Sequence, residues 1–327
     1  MSKVLITTVP FGDKDRLPIE LLEKIGFEYI INPFKKKITE EQLAKIIPDF
    51  DVIIAGTETI NENVLKNAKN LKFISRVGIG LDNVDLLLTQ KMGIRVSYTP
   101  DAPSSSVAEL TLGLMLSLLR SIHVSNLQMH KGQWYRFFGR RLEEVKIGII
   151  GVGRIGTGVL KRLKSFNTSK ILVNDINPNH ELDDIYKLIW TSKEQIFKEA
   201  DIVSLHVPLN HLTKNMVRKE QLLSMKNDAL IINTSRGGII NESDLFEVMK
   251  SNHLNGAAID VFEKEPYNGQ LKLIKRCLLT SHMGSMSVDC RTRMEIEATE
   301  EAIRFLSGKM LKSEVPPNEY NIQRSGI

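Results

Sequence analysis

The stretch VKIGIIGVGRIGTGVLKRL, residues 145–163, decides the fold. Its opening apolar run reads as a buried strand and its close as a helix, and between them Gly151, Gly153 and Gly156 spell GxGxxG. In that context the three glycines differ in what they allow. The first permits a tight turn, the second lets a pyrophosphate approach the backbone, and the third lets helix and strand pack closely. Arg154 and Ile155 open the helix, whose N-terminal N–H groups face the negative charge of a dinucleotide.

The next strand, KILVND (170–175), ends in Asp175, 24 positions after Gly151 (175 − 151). An acid there hydrogen-bonds the hydroxyls of an adenosine ribose and repels a 2′-phosphate, and the INPN that follows holds no arginine to compensate. NAD is the expected cofactor. Downstream, DIVSLHV (201–207), ALIINTS (229–235), NGAAIDV (255–261) and CLLTSH (277–282) alternate with helical segments, which predicts an α/β doubly wound parallel sheet of the Rossmann kind.

A second α/β series lies upstream: KVLITTV (3–9), FEYIIN (27–32), DVIIAG (51–56), LKFISRV (71–77) and IRVSYT (94–99). Thr39 and Gln42 fit a capping box for the helical EEQLAKII (40–47). A long helical pattern, 104–132, then separates the two series. The chain turns helical again from Asp289 to Gly308, and VPPNEYNIQRSGI at the end reads as a tail.

At 327 residues the chain has room for about two domains, and 42% hydrophobic with 25% charged residues is the composition of an ordinary soluble globular protein. Two cysteines without zinc-like spacing argue for a reducing compartment and no metal. The N-terminus lacks a cleavable signal pattern and LTLGLMLSLL (110–119) is too short to span a bilayer, so a cytoplasmic address without membrane attachment is expected. The formal charge of +5 comes from basic residues interleaved with acids, which argues against nucleic acid as a partner; Lys35, Lys36 and Lys37 read as a solvated turn.

In ALIINTSRGGII (229–240) an apolar strand ends in a permanently charged Arg236, followed at once by Gly237 and Gly238. Either the arginine points into water from a surface loop, or the strand delivers it to a ligand at the rim of the sheet. With SRVGIGLDNVD (75–85), GVGRIG (151–156), HVPLNHLT (206–213), INTSRGG (232–238), DVFEKEP (260–266) and TSHMG (280–284) in this order, the sequence resembles the D-isomer-specific 2-hydroxyacid dehydrogenases, phosphoglycerate-dehydrogenase-like branch. The resemblance implies a Rossmann nucleotide domain (101–289) inserted into a smaller flavodoxin-like substrate domain (1–100 and 290–327), and a homodimer whose arm is helix 104–132 with GQWYRFFG (132–139). Those aromatics could equally be intradomain core.

The same resemblance implies that Arg236 binds the substrate carboxylate, that His282 is the acid/base and that Glu265 orients it. Oxidising a 2-hydroxy acid moves a hydride to nicotinamide while the hydroxyl loses a proton, so a group titrating near neutrality must sit against that oxygen. Val207, Pro208, Thr213, Thr234, Ser235, Asp260 and Gly284 match positions that line NAD, whereas His206 reads as structural. Arg76, Val77, Gly78, Ile79 and Gly80 match a substrate-binding segment in which Gly78 and Gly80 expose N–H groups to the carboxylate. Arg76 either adds charge there or pairs with a nearby acid. Two departures bear on the substrate: Ala55 and Gly56 stand where phosphoglycerate-specific relatives often carry an arginine, and Ser281 stands where many carry proline. A redox-sensing, corepressor-like binding protein is the alternative on the same fold; a formate dehydrogenase would carry glutamine in place of Glu265.

Overall fold

The computed structural model describes residues 2–168 and 170–324. The chain forms two compact units, one made of the residues up to Pro103 and from Met286 onward, the other of Ser104–Ser285.

In the first unit five parallel strands, β1 (Lys3–Ile6), β2 (Glu28–Ile31), β3 (Val52–Ala55), β4 (Phe73–Arg76) and β5 (Arg95–Ser97), run in the order β2-β1-β3-β4-β5. This is the flavodoxin-like order, with its switch point between β1 and β3. Successive side chains alternate faces. Leu5, Ile53 and Ile74 bury against Leu43, Ile47 and Leu65 on one side, while Val4, Val52 and Phe73 bury against Leu22 and Met294 on the other. Helix Val288–Leu306 closes that second face, where Phe305 stacks on Phe73 at 4.6 Å between ring centroids. The capping box forms as expected: the Thr39 N–H donates to Gln42 Oε1 at 3.0 Å and the Gln42 N–H to Thr39 Oγ1 at 3.3 Å.

The expected tail is a correction. Residues Pro317–Arg324 form a helix, and Gln323 ties it to the unit, donating to the Val84 carbonyl at 2.7 Å and accepting the Leu86 N–H at 2.8 Å. The last three residues of that stretch lie outside the described residues.

The second unit is a parallel sheet of seven strands, β6 (Lys146–Ile150), β7 (Lys170–Asn174), β8 (Leu188–Trp190), β9 (Ile202–Leu205), β10 (Leu230–Asn233), β11 (Gly256–Ile259) and β12 (Cys277–Leu279), in the order β12-β11-β10-β9-β6-β7-β8. Strands β9, β10 and β11 are buried along their whole length, as a sheet covered on both faces requires. β8, a three-residue edge strand, was not anticipated.

The helical pattern 104–132 is also corrected: it is two helices, Ala102–Leu119 and Ile122–Met129, broken at Ser121 with φ 50°. The chain returning at 139–140 crosses the break, and the Arg140 N–H takes the Leu119 carbonyl at 3.2 Å. Helix Ala102–Leu119 is long and apolar enough to cross a membrane by composition, yet half of it is buried here and Leu114, Met115 and Leu118 pack into the core under β6. Both cysteines are buried; burial pushes the Cys277 thiol up to about 12 and Cys290 up to about 11.

Candidate active site

The nucleotide cradle is built at the carboxyl end of β6. Gly151 takes φ 96°, and its backbone lies so close to the end of β9 that a Cβ would meet the His206 carbonyl oxygen at 2.4 Å and Val207 Cγ1 at 3.1 Å. A Cβ on Gly156 would sit 2.1 Å from the Gly151 carbonyl oxygen, whereas one on Gly153 would meet nothing within 4 Å. Thus two glycines are needed for contact inside the protein, and the middle one leaves open space in front of the helix. Helix Arg154–Leu163 has no side-chain cap, so its first-turn N–H groups face that space. Asp175 follows β7, its Oδ2 accepting the Val152 N–H at 2.7 Å and its Oδ1 the Asn177 N–H at 2.8 Å. An uncapped helix start, an open glycine and a fixed carboxylate fit the pyrophosphate and ribose of NAD.

Strands β10, β11 and β12 each end in a loop carrying one member of the expected catalytic set. After β10, the side chain of buried Asn233 folds the chain back on itself: Oδ1 accepts from Ser235 N–H at 3.1 Å and Ser235 Oγ at 2.8 Å, and Nδ2 donates to the Arg236 carbonyl at 2.9 Å. The Arg236 guanidinium then curls onto the Ser235 carbonyl at 2.7 Å. Asn233 was missed from sequence, although an asparagine at a strand end before Thr-Ser-Arg-Gly is a recognisable turn-former.

After β11, Asp260 turns inward. Its carboxylate accepts from Thr280 Oγ1 at 2.6 Å, Met283 N–H at 2.9 Å and Gly284 N–H at 2.9 Å, and its carbonyl accepts the His282 N–H at 2.8 Å. These bonds hold His282 at φ 51°, a left-handed conformation uncommon for a residue with a side chain. His282 Nδ1 lies 3.0 and 2.9 Å from the two Glu265 oxygens, with the His282 and Glu265 side chains 35% and 24% exposed. Glu265 is steadied in turn by the Phe262 N–H at 3.2 Å.

Several residues matched to the cofactor spend their side chains on the scaffold. Thr213 closes its own loop, donating to the Pro208 carbonyl at 2.6 Å; Thr234 bonds Thr111 at 2.8 Å; Ser235 and Asp260 are engaged as above. What these positions can offer a ligand is backbone and shape. His206 is held by Ser204 Oγ at 2.9 Å, and burial drives its pKa down to about 4, which suits a structural, neutral imidazole.

In the first unit, Arg76 is 5% exposed and folds back on Asn83 Oδ1 at 3.2 Å and on the Val77 carbonyl. The expectation that Gly78 exposes its N–H to a substrate is corrected: that N–H donates to Thr99 Oγ1 at 2.7 Å. The nest narrows to Ile79 and Gly80. At the end of β3 the Gly56 N–H is likewise committed, to Glu58 Oε1 at 2.9 Å, with Glu58 only 2% exposed.

A doubly wound parallel sheet with a glycine turn and a ribose-directed acid defines a class, the nicotinamide-dependent oxidoreductases. Comparison with known proteins gives the family. The profile of the D-isomer specific 2-hydroxyacid dehydrogenase, NAD binding domain, matches residues 112–284. The chain is 34% identical over 319 residues to D-3-phosphoglycerate dehydrogenase of Methanocaldococcus jannaschii, covering 96% of this chain but 59% of that protein's length. It is 34% identical over 297 residues to hydroxypyruvate reductase of Thermotoga maritima, covering 87% of this chain and 96% of that one. The crystal structure of TT0316 protein from Thermus thermophilus superposes with a TM-score of 0.86 at 30% identity, over 96% of this chain and all of that one (100%). The chain belongs to the D-isomer-specific 2-hydroxyacid dehydrogenase family, whose cofactor is NAD.

Proposed function

We propose that this chain reduces a small, unphosphorylated 2-oxo acid to the D-2-hydroxy acid, and runs the reverse oxidation, with Arg236, His282 and Glu265 as its working side chains. The observation that carries this reading is the two-oxygen contact of Glu265 with His282 Nδ1, at 3.0 and 2.9 Å. A carboxylate there fixes the ring, favours its protonated form and leaves Nε2 as the nitrogen that exchanges a proton. Bound NADH supplies the hydride to the carbonyl carbon. The carbonyl oxygen takes its proton from His282 Nε2, and Glu265 stabilises the imidazolium until that transfer. Arg236, planar and always charged, is suited to grip the substrate carboxylate with two parallel hydrogen bonds.

The names of the relatives, phosphoglycerate dehydrogenase and hydroxypyruvate reductase, pose the choice of substrate. Commitment of the Gly56 N–H to buried Glu58 supports an unphosphorylated one, since a phosphate there would meet a carboxylate instead of a donor. A homodimer belongs to the same proposal; the exposed Trp134, Tyr135 and Phe138 support it.

The test is turnover of glyoxylate, hydroxypyruvate, 2-oxoglutarate and 3-phosphohydroxypyruvate with NADH, for the wild type and for His282→Ala. We expect an unphosphorylated acid to lead in kcat/KM, and His282→Ala to lower kcat by roughly 100-fold while NADH binding is kept. A near-normal kcat in the variant removes His282 from the reaction. Absence of turnover on every acid favours a nucleotide-sensing binding protein.

A further inference from the structure

Glu242 is the first residue of helix Glu242–Lys250, just past the Arg236 loop, and lies half-buried. Its Oε1 accepts the Glu263 N–H at 2.6 Å, while Glu263 Oε1 accepts the Glu242 N–H at 3.3 Å. Each glutamate thus takes the other's backbone hydrogen, a reciprocal clasp between the start of a helix and the turn that carries Glu265. The two segments also touch directly, for a Cβ on Gly237 would lie 2.0 Å from the Phe262 carbonyl oxygen and 2.6 Å from the Glu263 nitrogen. On its far side the turn is braced by Phe262 stacked on Tyr267 at 4.0 Å.

Nothing in an ordinary helix start requires this. Asn241 already caps the helix, accepting the Asp244 N–H at 3.0 Å. Glu242 sits among like charges, with Glu263 and Glu265 facing it and the Tyr267 hydroxyl nearby, and burial followed by these two carboxylates raises its proton affinity. An acid kept in an unfavourable field while making one short, charge-assisted hydrogen bond has a structural role for that bond.

We infer that Glu242 is a positioning residue for the reaction: by clasping Glu263 it sets the turn from which Glu265 reaches His282 Nδ1. The inference rests on the assignment of Glu265 and His282 above. With the clasp open, Glu265 loses its fixed distance to the imidazole. The ring then loses both orientation and the partner that favours its protonated form.

Glu242→Ala, Glu242→Asp and Glu242→Gln test this in the full chain, by kcat, KM and the pH profile of 2-oxo acid reduction. Alanine removes the acceptor, aspartate draws it back by one methylene, and glutamine keeps a carbonyl acceptor at full reach. For alanine and aspartate we expect kcat about 10-fold lower, an unchanged NADH Kd, and the basic limb of the profile moved to lower pH by about half a unit or more. Glutamine should stay within about 3-fold of wild type. Profiles for alanine or aspartate that superimpose on wild type overturn the inference, and so does a glutamine variant as impaired as alanine, since an acceptor alone would then not suffice. If alanine does not fold, aspartate gives the same reading. The underlying assignment fails separately: a near-normal His282→Ala defeats it whatever Glu242 does, whereas an inactive His282→Ala with unaffected Glu242 variants defeats the clasp alone.

Discussion

Asp175 shows how much a single side chain can decide. Its carboxylate is anchored on both oxygens by the Val152 and Asn177 N–H groups, so it stands ready at the end of β7 without needing a ligand to order it. Replacing it by the shorter, neutral serine removes both the ribose acceptor and the charge that repels a 2′-phosphate. For Asp175→Ser we expect kcat/KM with NADH to fall and the preference over NADPH to narrow by roughly 10-fold or more. Measuring both cofactors at saturating 2-oxo acid decides it; an unchanged ratio refutes the role. Asp175 was legible from sequence because a strand-end acid at that distance from a glycine turn is a local pattern. Asp260 was legible only as a position: which backbone groups it would tie, at 280–284, depends on a neighbouring strand that sequence spacing does not reveal.

Among the elements, the strands of both units were readable because burial on two faces leaves continuous apolar runs, while β8, short and at an edge, leaves none. Helix Pro317–Arg324 was hidden by its polar composition, although proline at its first position is a starting signal. The break at Ser121 has neither glycine nor proline to announce it; the crossing chain at Arg140 imposes it. Gly78 misled in the same way, because its partner Thr99 comes from beyond β5. Just past the end of β9, His206 has a pH-dependent consequence. Its pKa falls from 6.5 to about 4 on folding. Below pH 6.5 the unfolded chain binds a proton there that the folded chain refuses, so stability is full above that pH and lost as pH falls toward 4. Between pH 7.5 and pH 5 the loss from this residue is about 2 kcal/mol. Denaturant unfolding of the wild type and His206→Gln at both pH values should show the variant losing that much less; equal losses would show that His206 does not carry it.

For the whole molecule, the open question is association. Trp134, Tyr135 and Phe138 are 76%, 63% and 104% exposed along a stretch without regular secondary structure. Three large aromatics in water on one short segment are costly to a monomer and ordinary at an interface. Sedimentation velocity should find a dimer at micromolar concentration, and the double variant Trp134→Asp with Phe138→Asp should weaken it at least about 10-fold. A wild type that stays monomeric would return these rings to some other partner. The two buried thiols have a practical outcome. Only a thiolate attacks an electrophile, and Cys277 and Cys290 are both enclosed and hold their protons far above neutral pH. The folded chain therefore offers maleimides no native point of attachment. A single cysteine introduced at a solvent-facing position such as Met310, 88% exposed, would become the sole anchor for a dye or a surface tether, with neither native cysteine removed to make it so.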